Sequence, residues 1–345
     1  MNFTSTLESS PTTAKPHGMQ RLTGWLTWMY AAGVVTAWLL LKLFSDVWWP
    51  ATVLMYGPRW VYGLPLVVLI PAALLWRRRL LGVQLACLLL VVGPIMGLNL
   101  PWRNLFASAP MRPTVRVLSL NTDRTRLDAP ALARLLRDTD PDIVALQEWT
   151  SRNEKTVFES DGWEMRRDGE FYLATRFRIL SAELMQEPPA AQHDFCRYVL
   201  ETRQLKLHVI NLHLQTPRGS LAAVRYDWKH GYEKLEANTA QRRQQSRAGS
   251  DWARQVDGPL LIAGDFNMTD ESAVFHEFWS PYPDAWTQAG SGWGYTYRNR
   301  RTAIRIDHIL SGPGWRCRRC WVGPDLGSEH LPVIADFEWT GELPS

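Results

Sequence analysis

Cysteine is scarce in this sequence, with four among 345 residues. Four are too few for the disulfide framework of a small secreted domain. Cys87 lies in an apolar run, and Cys196 is expected in the core. Cys317 and Cys320 have the spacing of a redox or metal pair, but no second such pair and no paired histidines accompany them to make a zinc site. A local disulfide and two ordinary thiols both remain open for this pair.

A basic excess is lacking in the larger, C-terminal part of the chain. The 38 basic and 34 acidic residues include seven basic and two acidic ones before residue 102, which leaves 31 and 32 for the rest. The net charge of +4 therefore belongs to the N-terminal part. A domain that binds nucleic acid through its phosphates usually carries a basic excess. The nearly equal totals of basic and acidic residues therefore argue against nucleic-acid binding, although a local basic patch could exist.

Charged residues are absent from three long apolar runs near the N-terminus. Residues 22–41 are 20 uncharged positions between Arg21 and Lys42, long enough as a helix to cross the roughly 30 Å of a bilayer core. Residues 60–76 and 80–100 follow at short intervals. The runs predict three transmembrane helices, so residues 1–101 are interpreted as a membrane anchor. Buried soluble helices and a cleaved signal peptide fit less well, because three runs occur in succession.

The short connection between the second and third runs contains Arg77, Arg78 and Arg79. By the positive-inside rule this connection is cytoplasmic. Three spans then place the N-terminus inside and everything after residue 100 outside. Arg103, Arg112 and Arg116 argue mildly for the reverse, but the triplet is denser. The sequence therefore predicts a multi-pass protein of the cytoplasmic (inner) membrane with an extracytoplasmic C-terminal domain.

The pattern changes after residues 102–113, whose Ala, Ser and Pro residues indicate a linker. Short apolar segments alternate with polar helical ones over residues 114–345, which predicts an α/β domain with packed sheets. Strands are expected over residues 115–120, 143–146, 204–214, 260–263, 304–310 and 331–339, and helices over 128–138 and 233–256. On the second helix, Arg242 and Arg243 are expected to form a solvated face.

Polar side chains recur at the points where these strands end. They are Asn121, Glu148, His213, Asp265, Asn267, Asp307, Glu329 and His330. Carboxylates beside hydrophobic strands are costly to bury unless they bind a cation or pair with another group. Several such positions in one domain are explained most simply by one shared pocket.

The same segments resemble the endonuclease/exonuclease/phosphatase superfamily, which includes DNase I-like nucleases, inositol-polyphosphate phosphatases and neutral sphingomyelinases. The resemblance covers about residues 114–340. It rests on three motifs in the order of the family: Leu146-Gln147-Glu148, Gly264-Asp265-Phe266-Asn267, and Ser328-Glu329-His330-Leu331-Pro332-Val333. It implies a four-layer α/β sandwich, two packed mixed sheets flanked by helices, with the site at one edge of the sheets. It also implies metal-dependent hydrolysis of phosphoric ester bonds.

Roles for the metal and the base follow from the resemblance. Glu148 would be the principal ligand of Mg²⁺, a hard cation that prefers carboxylate oxygen, with Mn²⁺ as an alternative. Asn121 would support the metal or a phosphate oxygen. His330 would act as the general base on the attacking water, and Asp307 would hold its tautomer and stabilise the imidazolium.

The remaining roles concern the phosphate and the rim. Asp265 and Asn267 would orient the nucleophile and the scissile phosphate, and His213 would protonate the leaving oxygen or contact phosphate. Glu329 stands where the family usually has Asp, and it is a metal-ligand candidate with one extra methylene. Arg176 resembles a family arginine near the rim and is a phosphate-binding candidate. His308 should point to the opposite sheet face by strand alternation, outside the site.

The function expected from these features is that of a membrane-anchored, Mg²⁺-dependent phosphoesterase or phosphodiesterase that acts through His/Asp-activated water. The tether and the near-neutral domain favour a lipid head group as substrate. An extracytoplasmic endonuclease or exonuclease is the second hypothesis. The third is a catalytically inactive binding module on a membrane anchor. No protein partner is indicated.

Overall fold

Long runs of Leu, Val and Ala make the N-terminal part of the chain helical. In this computed structural model, residues 17–102 and 114–341 are described, except 125, 151, 153, 159–161, 186–194 and 204. The predicted linker therefore lies outside the described residues apart from Trp102. The helices of this part are α1 (His17–Phe44), α2 (Trp49–Met55), α3 (Leu64–Trp76) and α4 (Leu81–Leu90), with short 3₁₀ turns at Arg59–Gly63 and Arg78–Leu80 and a π turn at Val91–Ile95. We call residues 17–102 the N-terminal helical unit.

Three stretches of this unit are long and apolar enough to cross a membrane: Gly18–Phe44, Arg59–Trp76 and Arg78–Ile95. The first is longer than the predicted 22–41. The third ends before the predicted residue 100, because the chain turns at Gly97, whose φ of 77° is in the left-handed region that glycine tolerates.

The three stretches alternate in direction, so the connections between them lie at opposite ends of the unit. Inside it, Gln84 of α4 donates to Thr27 Oγ1 of α1 at 3.1 Å and to the Leu69 carbonyl of α3 at 3.0 Å. Arg77 packs against Gly24, near the beginning of α1. The arginine triplet thus lies at one end of the unit, and the segments around residues 45–60 and 96–102 lie at the other.

Two β-sheets form the centre of the C-terminal part. Its strands are β1 (Thr114–Asn121), β2 (Ile143–Gln147), β3 (Glu164–Asp168), β4 (Phe171–Thr175), β5 (Arg178–Leu184), β6 (Phe195–Glu201), β7 (Lys206–His213), β8 (Leu260–Asp265), β9 (Tyr297–Arg298), β10 (Ala303–Ile304), β11 (Asp307–Ser311), β12 (Trp315–Val322) and β13 (Val333–Trp339). Its helices are α5 (Ala129–Thr139), α6 (Glu154–Val157), α7 (Arg218–Tyr226), α8 (Trp228–Arg254), α9 (Ala273–Trp279) and α10 (Ala285–Ala289). The predicted strands and helices are present with ends shifted by a few residues, except that the predicted strand 304–310 is two strands, β10 and β11, which belong to different sheets.

Each sheet is mixed, with one parallel strand pair. The six-stranded sheet has the order β12-β13-β1-β2-β4-β3, and the five-stranded sheet has the order β11-β8-β7-β6-β5. β1 and β2 are parallel, and so are β7 and β8. A parallel pair needs a crossover connection. Here α5 connects the first pair, and α7 with α8 connects the second, so the carboxyl ends of all four strands meet at one edge.

Strand alternation explains the four layers. Val117 faces the core between the two sheets, whereas its neighbour Leu118 packs with Leu132 of α5 on the outside. In the other sheet Val209 faces inward, and Ile210 faces the layer that contains α9. The predicted α/β sandwich of two packed mixed sheets flanked by helices is confirmed.

Helix α8 corrects one prediction. Arg242 was expected on a solvated face, but its side chain is completely buried and paired with Asp46 of the N-terminal helical unit. Arg243 is 42% exposed and pairs with Glu277. Consecutive residues of an α-helix point about 100° apart, so a polar sequence conceals which of two neighbours faces a docked partner.

All four cysteines are buried free thiols. Cys317 and Cys320 lie on β12 in the core between the sheets, where burial raises the pKa of both thiols. The pair is therefore two ordinary thiols, one of the two alternatives that the sequence left open.

Candidate active site

The carboxyl ends of the two parallel strand pairs bring the predicted polar residues together. Asn121 ends β1, Glu148 follows β2, His213 ends β7 and Asp265 ends β8. Asp307 begins β11 directly opposite Asp265, because those two strands are antiparallel. The backbone of His330 forms an antiparallel β-bridge with Tyr297, which places His330 beside these residues.

Asp265 is the centre of the cluster. Its Oδ1 accepts a hydrogen bond from the Asn267 backbone N–H at 2.9 Å, and its Oδ2 accepts one from Asn121 Nδ2 at 3.0 Å. The same Oδ2 lies 3.7 Å from both His213 Nε2 and His330 Nε2. Gly264 permits this arrangement, since a Cβ at that position would collide with the Leu212 carbonyl of β7.

His330 is held by Asp307. Its Nδ1 lies 2.9 Å from Asp307 Oδ2 and 3.0 Å from Oδ1, which leaves Nε2 to face Asp265 and the pocket. The Asp307 backbone N–H donates to Thr296 Oγ1, and the His330 N–H donates to Ser328 Oγ. This geometry places a proton on Nδ1 and directs Nε2 into the pocket.

His213 has the same arrangement with a different carboxylate. Its Nδ1 lies 2.9 Å from Glu170 Oε1, and its Nε2 lies 3.8 Å from Glu148 Oε1. Two imidazole Nε2 atoms therefore face one carboxylate oxygen of Asp265 from two sides.

Burial and charge compete in setting the pKa values of these groups. Burial alone would lower the pKa of His330, but the charges of Asp307 and Asp265 raise it to about 9. Burial likewise opposes the rise for His213, where Glu170 and Asp265 raise the pKa to about 9. The pKa of Asp265 is raised by burial and by the charge of Asp307. A buried carboxylate of this kind favours a nearby cation.

Glu148 stands at the mouth of the cluster in a strained backbone conformation. Its φ is 53°, in the left-handed region that non-glycine residues seldom adopt. Its Oε1 lies 3.4 Å from Asn121 Nδ2, and its Oε2 lies 3.1 Å from Arg124 Nε. Asn267 also has a positive φ, of 50°. Its side chain donates to the Leu214 carbonyl at 2.9 Å.

A pocket of about 550 Å³ opens over these residues. Asn121, Glu148, His213, Asp265, Asn267, Glu329 and His330 all line it. Its less polar side is formed by Tyr56, Leu221, Ile304 and Ile306. Tyr56 belongs to the N-terminal helical unit, and it packs in one hydrophobic cluster with Val34, Val91 and the two isoleucines.

Comparison with known proteins agrees with this geometry. The sequence model of the Endonuclease/Exonuclease/phosphatase family matches residues 118–330, which is more than half of the chain. The chain belongs to this family. It is therefore a hydrolase of phosphoric ester bonds, of a family whose members depend on divalent metal ions. A search of curated protein sequences found no significant match.

Solved structures of low sequence identity share the fold. A humanized TDP2 from D. rerio is 20% identical with a TM-score of 0.52, and the match covers 65% of this chain and 99% of that one. The 3'-5' exonuclease NExo from Neisseria meningitidis is 19% identical with a TM-score of 0.51, covering 65% and 100%. An AP endonuclease from Archaeoglobus fulgidus is 16% identical with a TM-score of 0.52, covering 65% and 99%.

The chemistry of this family member's pocket suits a divalent metal ion. Ligand atoms of Asp265, Asp307 and His330 lie within 4.8 Å of one another, so this group could hold one. Both oxygens of Asp307 already contact His330 Nδ1. The Glu148 and Asp265 oxygens that converge on Asn121 are a second set of hard donors, of the kind that Mg²⁺ prefers.

Glu329 lies in the pocket with different partners from those that its predicted metal role requires. Its carboxylate pairs with Arg126 at 2.8 Å and with Arg218 at 2.8 Å, and it accepts from the Tyr297 hydroxyl at 3.3 Å. These contacts hold the carboxylate between two arginines, and its metal role stays a prediction. They also lower its pKa against the effect of burial.

Two further predictions concerned residues beside the site. Arg176 does not line the pocket: its backbone N–H donates to the Asp142 carbonyl, before the beginning of β2, whereas Glu148 follows the end of that strand. Its guanidinium lies over the Trp163 ring at 4.0 Å, which places this side chain away from the other predicted site residues. His308 points away from the site as predicted, and its Nε2 contacts the Met268 carbonyl.

Several contributors were not identified from the sequence. Ser328 could have been, because it belongs to the Ser-Glu-His motif. Glu170 lies in the β3–β4 turn and Thr296 in a loop, and both reach the site through tertiary packing alone. Tyr56 precedes Asp265 by more than 200 residues, so no local pattern connects the two.

Proposed function

We propose that this chain is a membrane-anchored, Mg²⁺-dependent phosphodiesterase that hydrolyses a lipid-derived phosphoester. The observation that carries the proposal is a single pocket in which His330, His213 and Asp265 converge and whose wall includes Tyr56 of the N-terminal helical unit. The hydrolytic class follows from the family, and the position of the pocket beside the candidate spans supports the proposed lipid substrate.

The proposed mechanism begins at His330. Its unprotonated Nε2 accepts a proton from a water molecule in the pocket, and Asp307 stabilises the imidazolium that results. The Asn121 amide and the Asn267 turn orient the phosphate beside Asp265. A magnesium ion held by Glu148, with Asn121 beside it, would supply a positive charge for the phosphoryl oxygens. His213, protonated and held by Glu170, gives its Nε2 proton to the leaving oxygen.

The lipid assignment rests on the surroundings of the pocket. Tyr56, Ile304 and Leu221 connect the pocket wall to the side chains of the candidate spans through one hydrophobic cluster. Aromatic side chains are exposed near the same end of the helical unit, as in the interfacial belts of membrane proteins. They are Trp48, Trp60, Trp102, Tyr226, Trp228 and Trp293. Trp228 is one helical turn from Tyr232, which contacts Trp49.

The proposed location is the cytoplasmic membrane, with the pocket outside. The C-terminal domain contacts the helical unit at the end opposite to the arginine triplet, as the bonds of Ser45, Arg59 and Asn99 indicate. If the triplet is cytoplasmic, the pocket faces the extracytoplasmic leaflet.

A nuclease is the second candidate. It is supported by the DNA bound to another D. rerio TDP2 structure, which is 18% identical with a TM-score of 0.51, and by the second histidine in the pocket. The balance of 31 basic and 32 acidic residues after position 101 gives little net field for phosphate binding. Binding to long DNA depends on that field, because it releases counterions.

The test uses the full chain reconstituted in lipid nanodiscs. We expect metal-dependent hydrolysis of bis(p-nitrophenyl) phosphate, which EDTA abolishes and Mg²⁺ restores. Glu148→Gln and His330→Ala should each lower turnover by roughly 10²-fold or more. Arg176→Gln, outside the pocket, is the matched control and should retain turnover.

Substrate class is then decided by competition. Vesicles of phosphatidylglycerol or phosphatidylcholine and supercoiled plasmid are offered at physiological salt, and head-group release and nicking are measured. We expect head-group release to be faster. Rapid nicking without head-group release would support the nuclease, and no metal-dependent turnover of any substrate would support an inactive binding module.

A further inference from the structure

The N-terminal helical unit contributes more than an anchor to this protein. We propose that Tyr56, with Asp46 and Arg242 behind it, is a positioning residue for the Asp265–Asn267 turn, so that the helical unit completes the active site. This inference rests on the proposed function for the identity of the catalytic groups. It assigns a role in catalysis to a segment that lies outside the region matched by the family.

The contacts form a continuous chain from the helical unit to the pocket. Asp46 Oδ1 pairs with Arg242 at 3.0 Å, and Arg242 also donates to the Tyr56 hydroxyl. The Tyr56 hydroxyl in turn donates to the Asn267 carbonyl at 2.8 Å. The Asn267 backbone N–H donates to Asp265 Oδ1 at 2.9 Å.

The side chains in this series of contacts are all buried. The side chains of Asp46 and Arg242 are both 0% exposed, and Tyr56 is 8% exposed. The second oxygen of Asp46 accepts a hydrogen bond from Ser272 Oγ. A charge pair removed from water is unfavourable unless its geometry and its hydrogen bonds are nearly complete. Asp46 and Tyr56 belong to the helical unit, whereas Arg242 and Ser272 belong to the C-terminal part, so the pair forms only when the helical unit is docked.

Two residues in this series of contacts, Asp46 and Asn267, have an unfavourable backbone conformation. Asp46 has a φ of 57° and Asn267 a φ of 50°. Neither is glycine, and such conformations persist where surrounding contacts hold them. For Asn267, the holding contacts on its carbonyl are the Tyr56 hydroxyl and Arg242, the latter at 3.3 Å.

The consequence concerns the Asp265 carboxylate. Its Oδ2 lies 3.7 Å from the Nε2 atoms of both His213 and His330. Because the Asn267 N–H fixes Oδ1, a small rotation of the Asn267 turn would turn Oδ2 relative to both imidazoles. Displacements of this kind in an active site lower the rate more than the affinity for the substrate.

The test compares two tyrosines that each donate one hydroxyl across the same interface. Tyr56 donates to the Asn267 carbonyl, and Tyr295, outside the pocket, donates to the Met96 carbonyl at 2.9 Å. In the full chain in nanodiscs, with bis(p-nitrophenyl) phosphate as substrate, Tyr56→Phe should lower kcat about fivefold while KM changes less than about twofold. Tyr295→Phe should leave both constants within about twofold of the parent.

A double mutant separates positioning from simple loss of stability. In an Asp265→Asn background, adding Tyr56→Phe should have little further effect on kcat, because both changes act through one carboxylate. Equal losses in both backgrounds, or equal losses for Tyr56→Phe and Tyr295→Phe, would overturn the proposal.

Hydrogen–deuterium exchange tests the same contact without turnover. Tyr56→Phe should accelerate backbone exchange over residues 265–269, and Tyr295→Phe should not. If the parent hydrolyses nothing, the proposed function fails, while the exchange comparison still decides whether Tyr56 holds this turn. Unchanged exchange in Tyr56→Phe would refute that role.

Discussion

His330 lies between two carboxylates that have different effects on it. Asp307 contacts Nδ1 and fixes the tautomer, whereas Asp265 faces Nε2 across 3.7 Å. Together their charges outweigh burial and raise the pKa of His330 to about 9. A base with a raised pKa is protonated, and therefore inactive, below that pKa. Activity is consequently expected to rise with pH along an acid limb that His330 governs.

Replacing Asp307 tests this assignment. Asp307→Asn removes a negative charge beside the imidazole and so lowers the pKa of His330. The acid limb of kcat/KM should move to lower pH by about one unit or more, while the maximal rate falls by about 10²-fold or more. The measurement is the pH dependence of kcat/KM for the full chain at saturating Mg²⁺.

A matched control exists on the surface. Asp227 pairs with His230 at 2.8 Å, the same contact in an exposed place. Asp227→Asn should leave the acid limb unchanged. An acid limb that stays in place in Asp307→Asn would mean that a group other than His330 controls it.

At the scale of elements, the connection between α3 and α4 decides the orientation proposed for the protein. Arg77 lies near the beginning of α1, whereas the pocket lies at the other end of the helical unit. Opposite ends of a spanning unit face opposite sides of a membrane, so the triplet and the pocket should be separated by the bilayer.

Topology reporters test this orientation. A periplasmic alkaline phosphatase fused after Ser345 should be active, and a fluorescent protein that folds only in the cytoplasm should be dark at the same position. Replacing Arg77, Arg78 and Arg79 with Gln should produce a mixed population, because the charge bias is lost. A bright fluorescent fusion with an inactive phosphatase would indicate the inverted topology.

For the whole molecule, the interface between the helical unit and the sandwich contains buried charge. Arg242 pairs with Asp46, and Arg59, 5% exposed, pairs with Glu271. Breaking a buried pair by removing one partner typically costs about 3–5 kcal/mol, because the other charge is left uncompensated. The sandwich therefore depends on the helical unit for part of its stability.

Truncation should expose this dependence. A fragment that starts at residue 108 retains Arg242 and loses Asp46, so we expect it to be poorly soluble or to unfold at a markedly lower temperature than the full chain. Arg242→Met in the fragment should recover part of the loss, since an apolar side chain needs no partner. The same substitution should destabilise the full chain. Thermal unfolding in detergent for the full chain, and in buffer for the fragments, measures both.

A fragment as stable as the full chain would contradict this account. So would an Arg242→Met fragment that is less stable than the unmodified fragment. Glu277→Gln, which removes the exposed partner of Arg243, serves as the control and should change little in either context, because exposed pairs contribute at most about 1 kcal/mol.

The sequence by itself determined the elements and most of the cluster. Asp307 begins β11, although the pattern placed it at the end of a strand. Apolar runs marked the candidate spans, strand periodicity marked the sheets, and polar residues at strand ends marked Asn121, Glu148, His213 and Asp265. These predictions succeeded because they depend on local pattern and on the rule that parallel strands end at one edge of a sheet. The order and spacing of the three motifs are sufficient to indicate the family without any tertiary contact.

Only the tertiary structure decided which groups touch. Arg176 stacks on Trp163 near the beginning of β2, and Glu329 pairs with two arginines. These contacts depend on tertiary packing, which the local sequence pattern does not specify. The burial of Arg242 and the entry of Tyr56 into the pocket depend on how two separately patterned parts dock. Helical periodicity shows which residues of α8 are polar. It does not show that Arg242, among them, pairs with buried partners more than 180 positions away in the sequence.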